Sequence, residues 1–405
     1  MNALNGVRVI DMSHVISGPM ASFYLASLGA DVIKVERTQG GDVLRYTNHG
    51  KQSTDFVSLN AGKRSISLNL NDPEALDILK NLIKTADVFI ENFTPGTLAK
   101  FGLDYASLSA LKPDLVYCSI SGFGQTGKWA KRGGYDAVIQ SFTGMTLTQG
   151  EGADAPPMKI GFPVVDVTTG ALGAMAIMAA VLQKKQQGTG QWIDASMVQS
   201  ALMLMYPLVT NYVTDKKPVR RIGNRGYSGS PTACAFKCAD GWISLAANTP
   251  AQLRKTADLV GLSHIYKDPD MFDLELFNSP DAGFVIARNY DAVQEAFNQA
   301  FLIWSSQELE DKLSALGVPV ARVRSVEEFV DWARESGDID LPWTTLGSED
   351  HEVVTTGLGF KSMHAAAPAR AQTPGIGQDT RQLLRELGLG DADIAALQER
   401  GAVRC

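Results

Sequence analysis

Four continuous apolar runs separated by helical segments occupy the first 125 residues, and they limit the fold more than any other feature. Residues 7–12 (VRVIDM), 31–36 (DVIKVE), 88–93 (VFIENF) and 115–120 (LVYCSI) read as strands. Strands apolar on both faces need cover on both faces, and helices between them make the sheet parallel. Residues 18–28 predict a helix with Pro19 in its first turn, and Asp72 with Pro73 gives a helix start. Leu76, Ile78, Leu79, Leu82 and Ile83 then follow helical spacing. A second Pro-led helix is expected near Pro95. The chain is therefore expected to be α/β, with a Rossmann-like parallel sheet in its large domain.

Residues 131–185 predict two helices, the second (168–184) dense in Ala, Gly and Met and placed in the core. A strand at 191–195 and an apolar helix at 197–208 follow. Composition shifts near Val213. Lys216, Lys217, Arg220, Arg221 and Arg225 form a basic stretch ahead of a glycine-bearing segment at 223–229. A smaller α/β domain is expected from about Ala233 to Arg324, with strands at 241–247 and 318–323 and helices around 250–260, 290–303 and 306–315. One helix, a loop-rich tail and two helices at 378–387 and 391–400 close the sequence. The expected divisions are 1–212, 213–325 and 326–405.

Lys and Arg total 37 against 44 Asp and Glu, so the net charge is −7. That balance gives no electrostatic reason to expect nucleic acid or an anionic membrane as partner. The longest weakly polar run, 170–182, is too short to span a bilayer. Cys118, Cys234, Cys238 and Cys405 lack zinc or redox spacing, and no signal-like stretch opens the sequence, so a reduced, cytoplasmic protein is expected. No two of His14, His49, His264, His351 and His364 lie within five residues, so no metal site is expected. The first βα turn, from His14 to Pro19, lacks G-x-G-x-x-G, and no Walker motif occurs. Both absences argue against a nicotinamide dehydrogenase.

Asp166, in GFPVVDVTTG, is the one carboxylate in an apolar segment ahead of a helix. Read alone it fits a helix N-cap better than a catalytic group. The other reading is a nucleophile in a partly desolvated site, since Asp forms covalent acyl intermediates.

Several segments, in order, resemble the class III CoA-transferases, which include formyl-CoA transferase and the carnitine CoA-transferases. They are GVRVIDMSHVISGP, LGADVIKVER, KRSI, ADVFIENFTPG, SISGFGQTG, GGYDAVIQ, VVDVTTG, GNRGYSGS, CADGWISLA and TPGIGQDT. The resemblance spans nearly the whole chain. It implies that Asp166 is the catalytic aspartate. It also implies that Val15, Arg37, Leu68, Asn92, Phe93, Lys100, Phe101, Tyr135 and Asp136 hold CoA, and that Gly226, Tyr227 and Gly229 belong to a mobile active-site loop. Arg37 and Lys100 suit phosphate groups. Read locally, Arg37 and Lys100 fit solvated surface charges less well than phosphate contacts, while Phe93 equally fits strand-end packing and the glycines an ordinary turn.

Two departures narrow the substrate. Ile16 stands where formyl-CoA transferase has an important glutamine, and the four-glycine loop of that enzyme is here Gly226-Tyr227-Ser228-Gly229. Both argue against a formyl-CoA and oxalate pair. The fold also houses α-methylacyl-CoA racemases, whose G-H-D histidine is replaced by Tyr135. A phenol is a poor base at neutral pH, so transfer is favoured over racemisation. The resemblance implies CoA and acyl-CoA as substrates with no permanently bound cofactor, succinyl-CoA as donor, and a dicarboxylate or substituted succinate as acceptor. It further implies an interlocked homodimer whose C-terminal helices return to the large domain. Racemisation, and a subunit role beside a paralogous chain, stay open at this level.

Overall fold

Val9, Ile10, Ile33, Ile66, Phe89, Ile90 and Val116 are sealed from solvent in the strands that carry them, as a sheet covered on both faces requires. The computed structural model describes residues 3–46, 50–152, 154–226, 228–348, 351–361 and 371–405. The chain divides into two compact units, Met1–Met145 with Lys159–Lys217 and Leu341–Cys405, and Thr146–Met158 with Pro218–Asp340.

The first unit alternates β1 (Arg8–Asp11), α1 (Ser17–Ser27), β2 (Asp31–Glu36), α2 (Thr54–Asn60), β3 (Arg64–Leu68), α3 (Pro73–Lys84), β4 (Val88–Glu91), α4 (Tyr105–Leu111) and β5 (Val116–Ser121). Then come α5 (Asp136–Phe142), α6 (Val164–Gln187), β6 (Gln191–Ser196), α7 (Met197–Leu204) and α8 (Tyr206–Asp215). The sheet order is β3-β2-β1-β4-β5-β6, all parallel. The order reverses between β1 and β4, and the crevice outside such a reversal is where ligands bind in open parallel sheets.

Two helix expectations differ. Pro95 does not lead an α-helix: Gly96 takes φ +88°, a turn follows, and α4 starts only at Tyr105. The helix expected at 197–208 breaks at Met205, because Pro207 has no amide to donate back into the preceding turn. The core helix is longer than its apolar run. Among the described residues, α6 alone is long and apolar enough to cross a membrane by length and composition, and half of that window is buried within the protein.

The second unit holds β7 (Ala233–Lys237), β8 (Trp242–Ala246), α9 (Pro250–Leu259), α10 (Leu274–Asn278), α11 (Tyr290–Phe301), α12 (Ser306–Ala315), β9 (Val320–Arg322) and α13 (Val326–Ser336). Its sheet, β7-β8-β9, is antiparallel, so the unit is not a second parallel α/β layer. Phe236, Phe297 and Phe301 fill its core. The expected division at 325 falls beside a segment tied to this unit. Arg324 pairs with Glu310 of α12 at 2.7 Å and lies over the Trp332 ring of α13 at 5.3 Å.

The remaining segment belongs to the first unit. A hairpin of β10 (Thr344–Gly347) and β11 (Glu352–Thr355) packs Leu346 and Val353 against Val57 of α2. After α14 (Thr380–Glu386) and α15 (Asp391–Glu399), β12 (Val403–Arg404) pairs antiparallel with β3 at the sheet edge.

Candidate active site

Helix α6 begins without a side-chain cap of its own: its N-cap is Pro163, and Asp166 is the third helical residue. The expectation of Asp166 as N-cap is therefore corrected. The cap comes from α5 instead. Asp136 Oδ2 accepts the amides of Val165 at 2.7 Å and Asp166 at 3.1 Å, satisfying donors that the helix leaves open. Gln140 fixes this cap by donating to Asp136 Oδ1 at 2.5 Å and accepting from the Ile160 amide at 2.9 Å.

With its amides capped elsewhere, the Asp166 side chain is released to face α1. Two glycines let the helices approach there. A Cβ on Gly170 would lie 2.6 Å from both Met20 Cβ and the Ser17 carbonyl, and Gly173 faces Ala21. That approach brings the Ser17 side chain within electrostatic range of Asp166. Asp166 is 9% exposed, and among the described residues no cation pairs with it. Burial pushes its carboxyl up to about 6. The Ser17 hydrogen bond opposes that rise, and the Asp136 charge adds to it. A carboxylate so placed is ionised at neutral pH yet more basic than a solvated one, which suits a nucleophile.

Three residues before Ser17, His14 lines a cavity of about 630 Å³ at the C-terminal ends of β1, β2, β3 and β4. Its volume is that of a small-molecule site. Arg37, Leu68, Phe93 and Phe101, four of the residues expected to hold CoA, line it together. Asn92 clamps its rim, accepting from the His14 amide at 2.9 Å and donating to the His14 carbonyl at 2.7 Å. The His14 ring packs tilted on Phe93 at 5.2 Å, and burial lowers its imidazole below the ordinary value, which leaves the ring neutral at pH 7. Next in the chain, Val15 takes φ +68°, a conformation costly for a β-branched residue. Its amide lies 3.4 Å from Asp42 Oδ1.

Beneath this loop lies a buried charge network. Lys63 Nζ bonds Asp11 at 3.0 Å, Ser22 at 2.7 Å and Asn60 at 2.9 Å. Lys34 Nζ forms an ion pair with Asp42 at 3.0 Å and donates to the Ser13 carbonyl at 2.9 Å. Arg45 pairs with Glu36 at 2.5 Å and donates to the Pro374 carbonyl at 2.7 Å. Sequence reading passed over these groups. The available signal was Lys34 between the apolar residues Ile33 and Val35 of an expected buried strand.

Not all expected site residues meet. Ile16 is the N-cap of α1, and Lys100 sits over the Phe101 ring at 4.8 Å without lining the cavity. Tyr135 and Asp136, expected to hold CoA, lie at the head of α5, where Asp136 Oδ2 accepts the Val165 amide of α6 and Tyr135 is 72% exposed. Gly226 and Gly229 belong to the second unit, and Tyr227 lies outside the described residues. Both glycine amides are engaged locally, Gly226 to the Ala233 carbonyl at 2.6 Å and Gly229 to the Gly226 carbonyl at 3.1 Å.

Against known proteins, a family model described as CoA-transferase family III matches residues 4–380. The chain is 35% identical over 398 residues to a succinate–glutarate CoA-transferase of Agrobacterium fabrum, covering 95% of each. It is 36% identical over 273 residues to a succinyl-CoA:glutarate CoA-transferase of Mus musculus, covering 66% of this chain and 62% of that one. The crystal structure of a CAIB/BAIF family protein from Brucella suis matches with a TM-score of 0.78 and 28% identity, over 95% of this chain and 99% of that one.

Proposed function

The chain belongs to CoA-transferase family III, and from that premise we propose that it moves CoA from succinyl-CoA to a glutarate-like dicarboxylic acid through a thioester on Asp166. The observation that carries this reading is the buried, cation-free Asp166 carboxylate, one short loop from the strand-end cavity. The donor and acceptor rest on the names of the two relatives above.

In the proposed sequence an Asp166 oxygen attacks the thioester carbon of the donor. The C–S bond breaks, giving a mixed anhydride and CoA thiolate. The thiolate attacks the aspartyl carbon, and the donor leaves as its carboxylate. The acceptor carboxylate then attacks the aspartyl thioester and expels the thiolate, which attacks the acceptor acyl carbon and restores Asp166. Each step exchanges carboxylate and thiolate at one carbon, so no proton is transferred. The protein's tasks are to exclude water from anhydride and thioester and to stabilise tetrahedral oxyanions. The Ser17 hydroxyl, which lowers the Asp166 carboxyl against the effect of burial, is the donor we assign to an oxyanion on the aspartyl carbon.

Asp166→Ala, assayed with succinyl-CoA and glutarate, is expected to lose transfer by on the order of 10⁴-fold or more. A rate near that of the parent would exclude the covalent route. In the parent, the Asp166-dependent rate should fall about tenfold per pH unit below a midpoint near 6, as the nucleophile is protonated. A flat profile across that midpoint would remove Asp166 as the attacking group.

The same family premise leads us to propose a homodimer. Helix α8 buries none of its residues in this chain, and Tyr206, Tyr212 and Val213 are 52–66% exposed along it. Apolar surface of this kind marks a partner. Light scattering should give twice 43.6 kDa, and a monomer mass would refute the proposal.

A further inference from the structure

The basic stretch that follows α8 has no part in the chemistry above, and the second unit gathers it around one cavity. This cavity, about 750 Å³, is lined by Arg220, Arg221 and Arg225, by Lys237 at the end of β7, and by the half-exposed Trp242 of β8. Glu151 is the one acidic lining residue. Arg225 is already neutralised, pairing with Asp291 at 2.6 Å and lying over the Tyr290 ring at 4.1 Å. Among the described residues, no carboxylate pairs with Arg220, Arg221 or Lys237. Arg221 is also held in place: its guanidinium donates to the Leu147 carbonyl at 3.1 Å and to the Ala155 carbonyl. Carbonyl acceptors orient a guanidinium without cancelling its charge.

Three uncompensated cations around one cavity repel each other when no anion is present, and a multivalent anion reverses the sign of that interaction. One of the three is fixed in advance, which lowers the ordering cost of binding. We propose that this cavity binds a small polyanion carrying two or more phosphate or carboxylate groups. The site lies wholly within the second unit and contains neither Asp166 nor any residue of the strand-end cavity. It stands whether or not the transfer mechanism above holds.

The test is calorimetric titration of the full-length protein, saturated with CoA so that its phosphate contacts are occupied, with pyrophosphate and with citrate. We expect saturable binding of at least one probe that weakens as salt is raised. The stronger probe then assigns the site to phosphate-bearing or to polycarboxylate ligands. In the double variant Arg220→Ala with Lys237→Ala, affinity should fall about tenfold, two partly exposed charges having been removed. Glu151→Gln removes the single lining repulsion and should tighten binding two- to threefold or so. Absence of saturable binding to the parent by both probes, undiminished binding by the double variant, or unchanged or weaker binding by Glu151→Gln would each overturn the proposal.

Discussion

Asp11 and Asp166 are two buried carboxylates served by the same helix, and they titrate in opposite directions. Ser22 of α1 donates to Asp11 at 2.5 Å, and Ser17, five residues earlier, reaches Asp166. Burial alone would raise both. At Asp11 that effect is overcome by Lys63 and Lys34, with the Ser13 and Ser22 hydroxyls, and its carboxyl is held down at about 2. At Asp166 no cation among the described residues forms an ion pair, the neighbouring charge is that of Asp136, and the carboxyl rises to about 6. Cationic company makes one aspartate a structural anchor beneath the β1–α1 loop. Its absence leaves the other with a reactive lone pair.

The sharpest way to break this contrast is Asp11→Asn. It strands Lys63 in the interior with only neutral partners, and loss of one member of a buried pair costs about 3–5 kcal/mol. The urea midpoint should fall markedly with little change in slope. An unchanged midpoint would show that the network contributes nothing to the fold. Gly170→Ala addresses the other aspartate through packing. Its methyl would meet backbone at the Ser17 carbonyl, which cannot rotate away, so α1 must shift. Overpacking of this kind costs about 1–3 kcal/mol. Because Ser17 moves with α1, turnover should fall by roughly tenfold to a hundredfold. Full activity in a destabilised variant would detach Ser17 from the chemistry.

How much of this was legible beforehand follows from the range of each interaction. The parallel sheet was legible because its strands declare themselves as local apolar runs, and Asp72 capping α3 through the Glu74 and Ala75 amides involves neighbours only. The position of Asp166 came from family resemblance, and its local pattern suggested a cap. The true cap, Asp136, lies thirty residues away, and nothing local marks it. Lys63 is equally hidden, and Lys34 shows only its place inside a strand, not its partner. A lysine in a sequence reads as surface charge, and only the fold brings Asp42 and Asp11 to them. Helix breaks at Met205 and beyond Pro95 were legible in principle, since Pro207 and Gly96 carry the reason in their own chemistry.

The smallest effect separates the two aspartates by sign. Asp166 has a folded-state value raised from 3.8 to about 6, so its ionised form is disfavoured by the fold. That cost is fully present above about 6 and vanishes as pH falls through 3.8. Asp166→Asn, nearly the same size and uncharged, should therefore be more stable than the parent at neutral pH, by up to about 3 kcal/mol, while losing transfer activity. The advantage should shrink to nothing by acid pH. Asp11 behaves in the opposite sense: with its value lowered to about 2, the stability it supplies is present above 3.8 and lost as pH falls toward 2. Thermal melts of parent, Asp11→Asn and Asp166→Asn across this pH range read both windows at once. If Asp166→Asn melts below the parent at neutral pH, its carboxylate is being stabilised by a partner that binding or assembly provides, and the contrast with Asp11 fails.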